Sequence, residues 1–410
     1  MDIKEYLESK REDLALLLCD MIRMPSVRGQ EGQVNRYLKE WFKGLADEVE
    51  LIEIPDSIQD DPDYSFRLDD FTYADTPNLL VRKKGTGGGK SVVFNTHVDV
   101  VPPSKNHDKP FNPRVKNGRI IGRGACDAKG QVAVLCLLLQ ALKNLDIQLP
   151  GDLEFHIVVE EECVGNGTLA FARRGCKADA AIVLEPTDLA LLPSVRGAVW
   201  FSITCHGRAG HSGSAGTVVS ALKEAIKVVN ILERYHAKLL AESKGLPLFD
   251  KFENPMPLTI GMLEAGNWPA SAPDKATLKG VLGFLPNKTR EQITDEVRAA
   301  IETEGGEWLR ENYEIEFMYR HDGNVLSPDH ELVTTLQDAC RQACAKDEVS
   351  AMTASCDAWM YNNQLEIPTV VYGPGNLSDA HSNHEEIALD DILRSTEVLI
   401  EFVKVWCGRE

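Results

Sequence analysis

Along this chain, histidines and carboxylates stand at the ends of apolar, strand-like stretches. The first is His97, followed two residues on by Asp99 in SVVFNTHVDVV (91–101). A strand's side-chain period of two points both to one face, so the carboxylate can hold the imidazole for a metal. Asp127 lies in GRGACDAKG, between glycines and just ahead of a helical pattern, which puts its carboxylate in a turn at the rim of a sheet. LEFHIVVE (153–160) runs into Glu160, Glu161 and Glu162, while AAIVLE (180–185) ends on Glu185 with Pro186 stopping the strand. Three adjacent carboxylates raise one another's pKa, a cost tolerated where cations or a proton-transfer task offset it. His381 and Glu385 follow the strand-like TVVYG (369–373) in PGNLSDAHSNHEE.

Singly, each has a plainer explanation: a capping aspartate, an exposed acidic turn, a solvated loop histidine. Position separates the readings. His97, Asp127, Glu162, Glu185 and His381 all fall at the C-terminal ends of strands or just beyond, where open α/β sheets place their sites. Two histidines and three carboxylates, with no cysteine, suit a pair of divalent ions, one carboxylate bridging. Zinc is the commonest choice for such donors, with cobalt and manganese also compatible.

The elements needed to position these groups are visible in the pattern. Apolar residues three and four apart (Leu14, Leu17, Leu18, Met21; Val34, Leu38, Trp41, Phe42) mark two opening helices at 12–23 and 32–45, and 131–145 is a third. Alternating with four short β-branched runs at 91–101, 153–160, 180–185 and 369–373, they predict an α/β domain with a mixed, mostly parallel sheet flanked by helices. From about residue 195 the pattern changes: strand-like 199–207, a helix over 217–235, strand-like 276–285, a helix over 291–305 and strand-like 313–320. That is an inserted α+β unit, far longer than any loop. The expected organisation is 1–194 and 326–410 as one domain, with 195–325 inserted.

With 410 residues and 43% apolar composition the chain is long for one core and ordinary for a folded globular protein. Its 44 basic and 63 acidic residues leave a net charge of −19, which repels phosphate backbones and anionic membranes and argues against both as partners. The start mixes charge with apolar residues at helical spacing, unlike a signal peptide. The 10 cysteines form no CxxC pair and read as reduced thiols, so a cytoplasmic location is expected.

In this order, HVDVVPP, GRGACDAKG, VVEEECVGNG, VLEPTD, GRAGHSG and GPGNLSDAHSNHEE resemble the co-catalytic zinc family of acetylornithine deacetylase, succinyl-diaminopimelate desuccinylase, aminoacylase and glutamate carboxypeptidase. The resemblance implies a zinc exopeptidase-like catalytic domain with an inserted lid and dimerisation domain. It assigns His97 and Glu185 to one metal, Glu162 and His381 to the other, Asp127 as the bridge, Asp99 as the residue orienting His97, and Glu161 as general base. His211 matches a lid histidine that completes the site of a dimer partner. Where the family carries a lid asparagine and a carboxylate-binding arginine, this chain has Ala270 and Gly283, and Arg196 matches a second lid arginine that could bind substrate, a surface ion pair being its alternative. The implied activity is removal of an acyl group from an N-acyl amino acid by a homodimer, with an aminoacylase or a di- or tripeptidase as alternative. From a different class, the chain could bind metal and amino acids without hydrolysing them.

Overall fold

The computed structural model describes residues 2–409 apart from 164, 212, 214 and 215. The chain forms two compact units: Met1–Ser194, Leu326–Met352 and Cys356–Glu410 in one, Val195–Val325 with Thr353–Ser355 in the other.

In the first unit the strands are ordered Glu48–Ile52, Asn78–Lys83, Leu153–Val158, Val92–His97, Ala181–Val183, Thr369–Val371 and Leu191–Val195. The middle four run parallel, Glu48–Ile52, Asn78–Lys83 and Leu191–Val195 join them through antiparallel pairings, and Val349–Met352 also pairs with Leu191–Val195. All four β-branched runs therefore lie side by side with their C-terminal ends at one edge. Val92–His97 is buried along its whole length, as a central parallel strand covered on both faces must be. Phe94 and Phe155 pack edge-on at 5.5 Å between ring centroids on neighbouring strands.

The helix Gly130–Asn144 is apolar nearly all round and 12 of its residues are buried. It is long and apolar enough, with the turn before it, to meet the length and composition of a membrane span, but 94% of that stretch is packed inside the protein. It packs against Leu389–Trp406, Arg11–Arg23 and the strand carrying His97.

Three differences from the sequence reading have local causes. The chain opens on three helices rather than two: Ile3–Ser9 precedes Arg11–Arg23, with Asp2 and Glu5 forming a reciprocal cap at its start. The strand expected over 91–101 leaves the ladder after His97, so Asp99 sits beyond the strand rather than on its face. Likewise the run at 153–160 stops as a strand at Val158, and Glu160 takes a left-handed φ of 56°.

The second unit is a four-stranded antiparallel sheet, ordered Leu258–Ala265, Lys275–Phe284, Gly197–His206 and Tyr313–His321, with helices Ala221–Glu242 and Arg290–Glu304 packed on it. Gly197–His206 alternates buried and half-exposed residues from Val199 onward, the signature of a sheet covered on one face. Leu258–Ala265 is largely exposed and lacks a sustained alternation, so the sequence pattern carries no strand signal there.

Candidate metal centre

The site grows from the common edge of the four parallel strands. His97 is the last residue of its strand and fully buried. Its Nδ1 lies 3.1 Å from the backbone carbonyl oxygen of Asp99 and 3.3 Å from Asp99 Oδ1. The two Asp99 carboxylate oxygens also accept the backbone N–H groups of Glu161 (3.1 Å) and Glu162 (3.0 Å). One aspartate thus fixes the imidazole and the turn that follows the adjacent strand, which is a wider role than orienting His97 alone.

That turn separates the three glutamates. Glu160 is fully buried and faces away, its carboxylate taking hydrogen bonds from Arg28 Nε, the Tyr73 hydroxyl and Asn166 Nδ2. Its left-handed backbone sends the next two residues the other way, and Glu162 Oε2 lies 2.9 Å from His381 Nε2.

Asp127 stands in the tight turn Ala125–Lys129 ahead of the apolar helix. Gly124 enters the turn at φ +83°, and a Cβ there would meet Val100 at 2.7 Å, so the position needs glycine on both counts. Lys129, fully buried, fastens the turn by donating from Nζ to the carbonyls of Met21 (3.0 Å) and Met24 (2.9 Å). Asp127 Oδ1 lies 3.1 Å from His97 Nε2, and Oδ2 lies 3.4 Å from His381 Nε2.

Two ligand groups result. In His97, Asp127 and Glu185, and again in Asp127, Glu162 and His381, one donor atom from each residue lies within 4.8 Å of the others. Asp127 is common to both and turns one oxygen to each, which is the geometry of a bridging carboxylate.

The electrostatics fit cations in both places. Burial, and then the charge of Glu185, push Glu161 well above the ordinary carboxylate range; burial likewise raises Glu185, and burial and Asp127 raise Glu162 to about 7. Burial alone would raise Asp127 too, but hydrogen bonds from His381 and His97 hold it below the usual range. His381 is lifted to about 10 by its bonds to Asp127 and Glu162, and His97 rises because its aspartate partners outweigh burial. The two imidazoles offset the charge of the carboxylates only in part, and divalent ions would do so more fully. Glu162 Oε1 is buried without a hydrogen-bond partner, as a ligand atom awaiting a metal would be. The His381 side chain is 53% exposed, leaving that side of the centre open.

The remaining expected residues lie in the second unit. His211 is exposed in the short strand Gly210–His211, which pairs with Ser271–Ala272, and its Nδ1 accepts the N–H of Gly213 (3.1 Å). Among the described residues Arg196 forms no surface ion pair. Only 9% exposed, it donates to the backbone carbonyls of Thr353 and Gly197, and burial lowers its pKa to about 10. A Cβ on Gly283 would lie 2.9 Å from Arg196 Nη1, so the Arg196 guanidinium fills the space that a side chain at 283 would use.

Asp357 is not among the residues that the sequence pattern singles out. It is fully buried, accepts from Thr168 Oγ1 (2.6 Å), and burial raises its pKa to about 6. Arg28, Tyr73 and Lys129 were also missed; a polar side chain inside an apolar segment, as at Lys129 before QVAVLCLLL, was the available signal.

Known proteins resemble this chain in sequence and in fold. N-formyl-4-amino-5-aminomethyl-2-methylpyrimidine deformylase of Bacillus subtilis is 28% identical, covering 100% of this chain and 98% of its own. A di-peptidase of Saccharomyces cerevisiae, Dug1p, shares the fold with a TM-score of 0.82 at 15% identity over 99% of this chain and 98% of its own. So does a Bacillus subtilis protein described as a dinuclear metal binding peptidase of family M20, with a TM-score of 0.66 at 14% identity, covering 97% and 98%. The sequence profile of Peptidase family M20/M25/M40 matches residues 93–405, so the chain belongs to that family and is a metal-dependent hydrolase of amide bonds.

Proposed function

We propose that this enzyme releases a small N-acyl group, formyl or acetyl, from an amine-bearing small molecule, using two divalent ions and Glu161. The observation that carries the reading is Asp127, whose two oxygens face two separate ligand groups. When bound, the pair of ions lowers the pKa of a water toward neutrality and polarises the scissile carbonyl. Zinc suits the donors, and cobalt or manganese could replace it.

The chain's own residues do the rest. Glu161, outside both ligand groups and held at its backbone N–H by Asp99, takes the proton of the attacking water and returns it to the leaving amine. Burial, and then the charge of Glu185, raise its pKa above the ordinary carboxylate range, the direction that suits a group that takes up and returns a proton. His211 supplies a hydrogen bond to the oxyanion in a homodimer. The exposed edge strand Leu258–Ala265, with Met262 and Leu263 at 50% and 42% exposure, supports pairing of two copies. His211→Ala should lower kcat roughly 10²-fold with metal content unchanged; an unchanged kcat removes His211 from the reaction.

Similarity along the full length to a deformylase favours formyl or acetyl release, and the absence of an arginine at 283 removes one expected grip on a substrate carboxylate. The N-acyl amino acid reading rests instead on Arg196, a buried guanidinium with N–H groups to spare beyond its two carbonyl partners. Hydrolysis of N-formyl and N-acetyl amines, N-acetylornithine, N-succinyl amino acids and dipeptides, with zinc or cobalt and with chelator, decides between them. Chelator-sensitive release of formate or acetate from amines lacking a carboxylate supports the proposal; turnover confined to dipeptides or N-acyl amino acids replaces the substrate class.

A further inference from the structure

A buried ion pair outside both ligand groups ties the two backbones of the more open metal site together. Arg123 is 2% exposed and Glu385 is 1% exposed, and Arg123 Nη1 donates to Glu385 Oε2. The other oxygen, Oε1, accepts the backbone N–H groups of Cys126 and Asp127, both at 3.1 Å. The other arm of the guanidinium, Nη2, donates to the carbonyl oxygen of His381 at 3.2 Å. One charge pair therefore grips the backbone of the shared aspartate at one end and that of His381 at the other.

Its own placement is fixed from outside the centre. Arg119–Ile121 pairs antiparallel with Glu386–Ala388, and the Gly122 N–H donates to the Glu385 carbonyl (3.0 Å), so Arg123 and Glu385 emerge side by side from a small three-stranded sheet. His381 needs such a hold. It lies in a loop at a left-handed φ of 61°, an uncommon conformation for a non-glycine residue that costs free energy its surroundings must offset. His97, by contrast, ends a buried strand and has Asp99 to orient it.

We infer that Arg123 and Glu385 are positioning residues that set the spacing between Asp127 and His381, and hence the affinity of the His381–Glu162 site, while leaving the His97–Glu185 site to the sheet and Asp99. The inference rests on the two-metal reading. A planar guanidinium serves a carboxylate from one arm and a carbonyl from the other; a lysine ammonium is a single compact point charge and does not reproduce that two-armed fork. A carboxylate also accepts the two N–H groups more strongly than an amide oxygen does.

The test is stepwise cobalt(II) titration of metal-free wild type, Arg123→Lys and Glu385→Gln, followed by visible absorption and by bound metal after gel filtration. Circular dichroism confirms that each variant is folded. In both variants one equivalent should bind as in wild type and the second should weaken roughly 10- to 100-fold, the range expected when a partner that orients a ligand is lost. Adding His381→Ala to Arg123→Lys should cause little further metal loss, whereas adding His97→Ala should remove the remaining equivalent. Two unchanged equivalents in both variants, or equal weakening of both sites, overturns the inference. Should Glu385→Gln fail to fold, Arg123→Lys and its double variants still decide it. Failure of wild type to bind two equivalents would instead overturn the two-metal reading itself.

Discussion

The strand Leu153–Val158 serves two clusters of histidine and carboxylate, and they have opposite electrostatic characters. At its C-terminal end the chain turns through Glu160 into the centre built by His97, Asp127, Glu162, Glu185 and His381. Further back, Glu154, His156 and Cys176 also bring donor atoms within 4.8 Å of one another. In this second cluster every strong hydrogen-bonding group is satisfied. His156 Nε2 lies 2.6 Å from Glu154 Oε1, its Nδ1 lies 2.8 Å from the Tyr361 hydroxyl, and its ring stacks on Phe171 at 3.9 Å. Arg82 donates to the other Glu154 oxygen at 2.5 Å, so a cation is already present. At the strand end, carboxylates outnumber the imidazoles and no arginine or lysine bonds to the side chains of the five ligands among the described residues. Donor proximity alone does not make a metal site. Uncompensated negative charge with a shared bridging carboxylate does.

The contrast predicts graded consequences. Asp127→Ala removes the shared ligand, so bound metal should fall below two equivalents and kcat/KM should drop by roughly 10⁴-fold or more; retention of both ions with substantial turnover would put the bridge elsewhere. Glu161→Gln should keep both ions, measured by atomic absorption, while lowering kcat about 10²- to 10⁴-fold. Metal loss in this variant matching that of Asp127→Ala would mean that the base and the ligand among the three glutamates are exchanged.

In the satisfied cluster the effects should be on stability alone. His156→Phe leaves the Tyr361 hydroxyl and Glu154 each short of a partner, and should cost about 1–3 kcal/mol in denaturant unfolding with metal content unchanged. Loss of a metal equivalent would make this cluster a binding site after all. The smallest effect concerns pH. Burial alone would raise the Glu154 pKa, but hydrogen bonds from His156 and Arg82 outweigh it and hold the carboxyl at about 2, against an ordinary 4.5. A depressed folded-state value means a stabilising contribution that is complete above the unfolded pKa and lost as pH falls from about 4.5 toward 2. Glu154→Gln should therefore be less stable than wild type at neutral pH by about 1 kcal/mol, discounted for partial exposure, and the gap should narrow through that acid window. A gap that does not vary with pH would leave the ionised carboxylate without a role in folding.

The sequence carried the parallel strands because full burial imposes an unmistakable apolar run, as in Val92–His97, and it carried the site edge because charged residues end those runs. Outer strands such as Glu48–Ile52 mix charge with apolar residues and gave no comparable signal. The supporting network was hidden for another reason: Arg28 meets Glu160 across 132 positions and Arg123 meets Glu385 across 262, separations that no local spacing encodes. Glu385 was noticed only as a neighbour of His381. Arg196 was misjudged in one of its alternatives because neither its burial nor the space left by Gly283 can be read before the second unit is folded.

The most direct test of the account is anomalous diffraction from crystals of zinc-loaded protein. Two peaks about 3.5–4 Å apart on either side of the Asp127 carboxylate, with none at Glu154, His156 and Cys176, are the predicted result. A single peak, or zinc held by the Glu154–His156–Cys176 cluster in place of the strand-end centre, would contradict it.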